Sequence, residues 1–432
     1  MSADVLPKAM ECEQAEQRLR IAVVYSRLPF PMMRGDQMTV AHLLAYLAKR
    51  GHTVDLYTLD LDGEVSEVQH AWLQEACRTV RVFRHSRASK VWGLVRGSMR
   101  LLPLQVAIFW NRAMAHELRR SLGQAQYDIV YNYYPRTAPA VEHAVGSGGT
   151  PKTFLALQLS QTLNTRRMAQ HESRWFWRLV YNVEARLMGR YESRVWQRFD
   201  RTMLIGPADV QAIEQQCREH GQPTIDNWLY GAHGTDTTKY LAATDEEIVE
   251  NRVVFSGSML YPPNVQAALW FVDRVWPLVR SEVPEASFFI QGRDPVDEVR
   301  ALDGRDGIVV TGTVPDVGEI IRSAAVCVNP MLAAGGMQNK LLEYMASAKA
   351  VVASNVANEG IRAPDSTLRV ADDPREFARE VVVLLRDPVA ASALGQRASD
   401  HVRTHWTWES HFRLLEEAFV DELGADHPST PG

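Results

Sequence analysis

Residues 324–354 read AAVCVNPMLAAGGMQNKLLEYMASAKAVVAS. Ala324 to Asn329 is a continuous apolar run stopped by Pro330, and Ala350 to Ser354 is another. Met337 to Ala348, between them, predicts a helix. Strands that are apolar throughout, rather than at alternate positions, are covered on both faces. Strands that alternate with helices form a parallel sheet.

The same rhythm continues outward. Upstream, Arg252 to Ser256 is a short strand ended by Gly257. Leu269, Val272, Val275, Trp276 and Val279 lie at helical spacing within Val265 to Val279, with Asn264 placed as the N-cap. Ala286 to Gln291 and Ile308 to Thr311 are further strands, closed by Gly292 and Gly312, and Asp316 to Ser323 reads as a short helix. The first half opens alike. Arg20 to Tyr25 is a strand, and Ser26 to Asp36 a loop with Pro and Gly. The helix that follows has Val40, Leu43, Leu44 and Leu47 on one face and Gly51 at its C′ position. Strands are predicted at Thr53 to Thr58, Asp128 to Asn132, Thr153 to Leu157 and Thr202 to Ile205, and a last helix at Glu409 to Leu423. The reading is α/β, with two doubly wound Rossmann-like domains.

Composition agrees with a globular chain. Of 432 residues, 46% are hydrophobic and 23% charged, enough apolar material for two cores. Cys12, Cys77, Cys217 and Cys327 are scattered without a C-x-x-C pair, which indicates neither a disulfide framework nor a zinc site. No apolar run reaches the ~18–20 residues of a membrane span, and the polar start at residues 1–17 lacks the core of a signal peptide. A cytoplasmic protein is expected. Net charge is −5, but residues 1–235 carry +7 and residues 236–432 carry −12. Unlike halves point to unlike partners.

Residues 330–343 join a strand's carboxyl end to a helix, where open α/β sheets bind ligands. Gly335 and Gly336 allow close backbone approach. The helix N-terminus supplies N–H groups and partial positive charge for an anion. Lys340 and Glu343 are three apart and share a face. An ammonium against a diphosphate and an acceptor-only carboxylate against ribose hydroxyls would suit a nucleoside diphosphate sugar. Equally, a bland glycine turn followed by an exposed ion pair has this local pattern.

The segment from Gly336 through Asn339 and Lys340 to Glu343 resembles the Gly-x-x-Asn-Lys-x-x-Glu donor motif of the family-four glycosyltransferases, more narrowly of bacterial polysaccharide-type sugar transferases. Phe255 to Asn264 resembles the first glycine loop of their donor domain, Phe289 to Arg293 its second sheet turn, and Thr311 to Asp316 the segment whose backbone meets the base, near Val314. His233 to Asp236 resembles the interdomain loop, and Pro29 to Asp36 the loop facing the donor diphosphate, which contains Gly35. The resemblance spans roughly residues 20–420. It implies a GT-B fold, with two Rossmann-like domains facing each other across a cleft. The implied division is a tail at 1–19, an acceptor-binding domain at 20–235, a nucleotide-sugar-binding domain at 236–405, a helix at 406–424 packing back on the first domain, and a tail at 425–432. It also implies a retaining glycosyltransferase. The implied donor contacts are Gly35, Gly257, Arg293, Val314, Gly335, Gly336, Asn339, Lys340 and Glu343, with Lys340 and Glu343 activating the donor. Two departures stand out: Gly335 occupies a position where many relatives have a glutamate, and Met259 to Asn264 holds no basic residue. Lys340 is then the main phosphate cation, with Arg293. No metal and no cofactor beyond the donor are expected.

Acceptor-side candidates are Tyr133, Tyr134 and Arg136 after one strand, and Gln158 and Ser160 at the end of the next. His42 and His52 flank the first helix and read as structural. Arg78 to Arg120 holds ten Lys or Arg against one acid, with Trp92 and Trp110 interleaved. Arg166 to Arg201 holds nine arginines against four acids, with Trp175, Phe176, Trp177 and Trp196. Such stretches suit an anionic membrane surface, here the inner face of the cell membrane, or a glycan or lipid-linked diphosphate acceptor. A solvated helical face over core tryptophans has the same composition. Nucleic acid is excluded by the acidic chain and the missing recognition motif. A sugar-nucleotide epimerase of the same fold and a non-catalytic nucleotide-sugar-binding partner subunit remain open as alternatives.

Overall fold

A computed structural model describes residues 15, 17–32, 34–60, 66–124, 127–145, 151–171, 174–231, 233–332 and 337–424. Gly335 and Gly336 lie outside the described residues, as do most of the 1–19 tail, all of the 425–432 tail and Cys12.

The chain divides into two compact units. One runs from 234 to 410, and the other comprises the chain up to 233 together with 411 onward. Each is built on one parallel sheet. In the first unit of the chain the strands are β1 (Arg20–Tyr25), β2 (Thr53–Asp60), β3 (Thr79–Arg84), β4 (Ile129–Tyr133), β5 (Lys152–Gln158), β6 (Arg201–Leu204) and β7 (Trp228–Tyr230), ordered β3-β2-β1-β4-β5-β6-β7. In the second they are β8 (Arg252–Ser256), β9 (Ser287–Gln291), β10 (Ile308–Gly312), β11 (Val326–Asn329), β12 (Ala350–Ala353) and β13 (Arg369–Val370), ordered β10-β9-β8-β11-β12-β13. The order reverses between β1 and β4 and between β8 and β11. A crevice opens outside the strand carboxyl ends at such a switch point.

The apolar runs explain the cores. β1 is buried from Ile21 onward and β11 throughout. In the second unit Phe271 packs at a tilt against Phe288 with ring centroids 4.6 Å apart, and Trp276 lies 5.4 Å from the same ring. In the first unit the Trp408–Gly424 helix is locked down by Glu416. This buried carboxylate accepts from the Tyr46 hydroxyl at 2.6 Å and from Arg50 Nε at 2.8 Å, and it lies 3.0 Å from His52 Nε2. Phe419 sets its edge on Phe154 at 4.7 Å, and Arg201 Nε donates to Glu422 at 2.6 Å. His52, read as structural, is thus part of the clamp. Its Nδ1 accepts from the Leu19 N–H at 3.1 Å.

Two local expectations are corrected. The helix placed at Val265 to Val279 is instead three pieces: Pro262–Trp270, a π-helical stretch Phe271–Val275, and Trp276–Glu282. Pro277 has no N–H for the i−4 carbonyl, and one wide turn absorbs the break; the Trp276 N–H bonds Phe271 O. Asn264 is not the N-cap. Tyr261 holds that place, because Pro262 and Pro263 lack N–H groups the first turn cannot use anyway. The Asn264 side chain is released for another task.

Candidate functional site

Gly257, Asn339, Lys340 and Glu343 lie at the switch point of the second sheet. β8 ends at Ser256, and Gly257 follows it. β11 ends at Asn329, and the Asn339–Ala346 helix begins ten residues later. Leu341, Leu342, Tyr344, Met345 and Ala346 are buried, so the helix is fixed on the sheet by one apolar face. Tyr344 pins it further, its hydroxyl accepting from the Ser256 N–H at 2.6 Å. Lys340 and Glu343 are left on the opposite, half-buried face.

Lys340 is held by three groups. Its Nζ donates to Asn264 Oδ1 at 2.6 Å, lies 3.7 Å from Met331 Sδ, and sits 4.6 Å from the centroid of the Phe255 ring. Asn264 is oriented in turn, its Nδ2 donating to Ser258 O at 3.0 Å. A Cβ on Gly257 would stand 2.7 Å from Asn264 Nδ2 and 3.1 Å from Lys340 Nζ, so only glycine leaves room for this arrangement. Burial pulls the Lys340 ammonium down to about 7, with Glu343 opposing the fall. Burial raises the Glu343 carboxyl, and the Tyr240 phenol, Lys239 and Lys340 each offset part of that rise. A diphosphate placed here would restore the charged lysine. The Gln338 side chain at the N-cap makes no capping hydrogen bond to the Asn339–Ala346 helix among the described residues, and a helix N-terminus is a site that favours an anion. Asn339 is its first residue.

Arg293 and Val314 lie on other loops of the same unit, and Gly35 belongs to the other unit. The Arg293 carbonyl accepts from the Met259 N–H at 3.2 Å, tying the loops after β8 and β9 together, while its side chain is exposed. Val314 lies half-buried in the loop after β10. Gly35 opens the Gly35–Lys49 helix of the other unit, and Thr39 Oγ1 donates to its carbonyl at 2.9 Å.

The acceptor-side candidates lie at the carboxyl edge of the first sheet, where their surroundings separate them. Tyr133 is the last residue of β4 rather than a loop residue. It is fully buried, packed edge-on against Tyr25 at 5.6 Å, and works as a wall. Tyr134 has a φ of 71° and donates its N–H to Ala156 O at 3.0 Å. The Arg136 guanidinium lies over Tyr134 at 5.4 Å and over Phe109 at 5.1 Å. Ser160 is buried and occupied: its Oγ donates to Glu192 Oε2 at 3.1 Å, and its N–H donates to Asp209 Oδ1 at 2.8 Å. Glu192 also takes the Gln161 N–H at 2.6 Å and the Thr162 hydroxyl at 2.6 Å. Ser160 therefore builds the start of the Gln161–His171 helix. Gln158 differs. It has a φ of 66°, is 1% exposed, and neither amide atom has a hydrogen-bond partner among the described residues. Burying an unpaired amide costs ~1–3 kcal/mol, so a bound partner would stabilise it.

Four further residues belong to these two edges: Arg27, Asp36, Asn264 and Asn329. Arg27 lies 3.6 Å from Asp36, beside Tyr134 and Arg136. Asn264 was read as a cap. Asn329 is fully buried at the end of β11, and its amide has no partner among the described residues. A polar residue ending an otherwise apolar strand was the signal available for Asn329. Arg27 and Asp36 are nine positions apart and meet only through the fold.

Residues 250–387 match the family model described as Glycosyl transferases group 1. An uncharacterised 44.6 kDa protein in the cps region of Klebsiella pneumoniae is 20% identical over 373 residues, 84% of this chain and 90% of the relative. Among solved structures, HepE of Anabaena in complex with UDP superposes with a TM-score of 0.61 at 13% identity, over 93% of this chain and 100% of that one. TarM of S. aureus, solved with fondaparinux, alpha-GlcNAc-glycerol and UDP, gives 0.62 at 10% identity over 93% and 99%. Sucrose-phosphate synthase from Thermosynechococcus elongatus gives 0.63 at 16% identity over 94% and 100%. At these identities the likeness establishes the fold, which is GT-B.

Proposed function

We propose that this protein, a glycosyltransferase of GT-B fold, moves a sugar from a nucleoside diphosphate sugar to a growing cell-envelope or capsular glycan. The observation that carries the donor half is Lys340. It is a half-buried ammonium drawn down to about 7 by burial, aimed by Asn264, and seated in the first turn of the Asn339–Ala346 helix at the switch point. As the glycosidic bond to phosphate breaks, negative charge grows on the diphosphate. Donors already in place stabilise that charge without reorganising. Lys340 and the first N–H groups of the Asn339–Ala346 helix act on the leaving group. Glu343 accepts hydrogen bonds from ribose hydroxyls.

Uridine is the base to test first, because HepE and TarM were solved with UDP. The cps-region relative supports a polysaccharide acceptor. Transfer needs no metal, because Lys340 and a helix N-terminus supply the positive charge, and it retains the anomeric configuration, as the resemblance of residues 336–343 to the donor motif implies. Gln158 and Arg136 bind the acceptor, the first through its unpaired amide and the second through an aromatic-backed guanidinium.

The test is nucleotide release from UDP-, GDP- and ADP-sugars, with and without a membrane and glycan extract, in EDTA. Release that depends on extract and persists in EDTA supports the proposal. Sugar isomerisation without release would replace it with an epimerase. Binding without turnover would replace it with a partner subunit. The anomer formed, read by NMR, tests retention.

A further inference from the structure

The Arg87–Met99 helix is packed inside out. Its buried residues are Gly93 and Gly97. A Cβ on either would overlap Ala107 of the short Leu104–Ala107 helix, so two glycines form the inward face. The apolar side chains point the other way. Val91, Trp92, Val95 and Met99 fall on one stripe at i, i+1, i+4 and i+8, and all are exposed, Met99 at 79%. An amphipathic helix in a water-soluble domain normally turns this stripe to the core.

The stripe has a neighbour of the same character. The Trp175–Val195 helix is joined to the Leu104–Ala107 helix through Glu184, which accepts from the Leu104 N–H at 2.8 Å and the Gln105 N–H at 3.0 Å. Its first half exposes Trp175, Phe176, Leu179 and Val183, Trp175 at 72%. Its second half puts Arg186, Arg190, Arg194 and Arg198 at steps of four, continuing one face into the turn that follows. Arg190, Arg194 and Arg198 meet Arg100 around a cavity of about 180 Å³, with Glu142 its one carboxylate and Tyr191 on its wall. No salt bridge engages these four arginines among the described residues. Asp and Glu are absent from residues 76 to 116.

We propose that this face docks on the surface of an anionic bilayer, the two apolar stripes entering the acyl boundary and the arginine cavity receiving a phospholipid phosphate. Exposed aromatics beside clustered cations are the chemistry of that interface. A second copy of the chain fits poorly, since a two-fold contact sets each patch against itself and would bring one arginine cavity towards the other. No helix among the described residues is long and apolar enough to cross a membrane, so attachment is to one surface. The inference stands apart from the transferase reading and uses none of its residues.

The test is co-sedimentation of the full chain with phosphatidylcholine vesicles containing 0 to 40% phosphatidylglycerol, at low and high salt. Binding should rise with phosphatidylglycerol and fall with salt. Trp92→Ser with Met99→Ser should weaken it at least tenfold. Arg190→Gln, Arg194→Gln and Arg198→Gln should each weaken it about fivefold, the Boltzmann equivalent of ~1 kcal/mol. Because all these residues are surface side chains, unfolding temperature and UDP affinity in solution should not move, which separates lost docking from lost fold. Equal binding to neutral vesicles would overturn the proposal, as would no binding at 40% phosphatidylglycerol. So would saturation of the arginine cavity by inorganic phosphate without any vesicle binding.

Discussion

The two carboxyl edges have the same topology and different construction. At the edge of the second sheet, one short helix supplies Lys340, Glu343 and the backbone donors, and neighbouring loops supply Gly257 and Asn264. At the edge of the first, Arg27 and Asp36 follow β1, Tyr134 and Arg136 follow β4, and Gln158 ends β5, spread over more than a hundred residues. A diphosphate is a small, invariant target that a helix N-terminus and one cation recognise with local geometry. An acceptor offers no such fixed element, so its site is assembled from whatever the ends of the strands present.

If that contrast is right, the two edges should fail differently. The largest effect is expected from Lys340→Ala, which should lower kcat/KM by about 10²–10³ through lost stabilisation of the leaving group, with folding unchanged. Arg136→Ala should raise the acceptor KM and leave UDP affinity alone. Steady-state kinetics with each substrate varied checks both.

Next comes the clamp that holds the last helix on the first unit. Glu416→Ala removes the carboxylate from His52, Arg50 and Tyr46 and should cost about 3–5 kcal/mol, read by urea unfolding. The bonds to His52, Arg50 and Tyr46 outweigh the cost of burial and hold the Glu416 carboxyl down at about 2. With the folded value below the unfolded one, this stability is complete above ~4.5 and lost as pH falls towards 2. Glu416→Gln should flatten that acid limb.

A smaller effect concerns pH and the donor. Free Lys340 loses its proton near 7, and the diphosphate requires the ammonium. UDP affinity should hold below pH 7 and weaken above it, up to tenfold per unit, with proton uptake on binding. Lys340→Arg, charged throughout, should abolish the inflection in a calorimetric pH series. The smallest change is expected from Gln158→Leu, a few-fold rise in acceptor KM with stability equal or improved, because an unpaired buried amide is removed.

The contrast also governs what could be read in advance. Apolar runs such as Val326–Asn329 and Arg252–Ser256, and the Gly51 stop, marked both sheets because burial on two faces leaves a continuous signature. The phosphate loop can be proposed from the sequence because its residues are consecutive, with Lys340 and Glu343 one helical turn apart. Asn264 looks like an N-cap in the sequence because only the structure shows Pro262 and Pro263 opening the helix and its side chain holding Lys340. Ser160 and Tyr133 were singled out by position, yet hydrogen bonding to Glu192 and packing against Tyr25 occupy them. The pairing of Arg27 with Asp36 and the inverted Arg87–Met99 helix, seated on Ala107, depend on how the chain turns back on itself and leave no periodic pattern.

The most direct test of the donor assignment is hydrogen exchange of the full chain titrated with UDP. Protection should appear in residues 255–264 and 337–346, and Lys340→Ala should abolish it. Saturable UDP binding that leaves both segments unprotected would contradict the assignment.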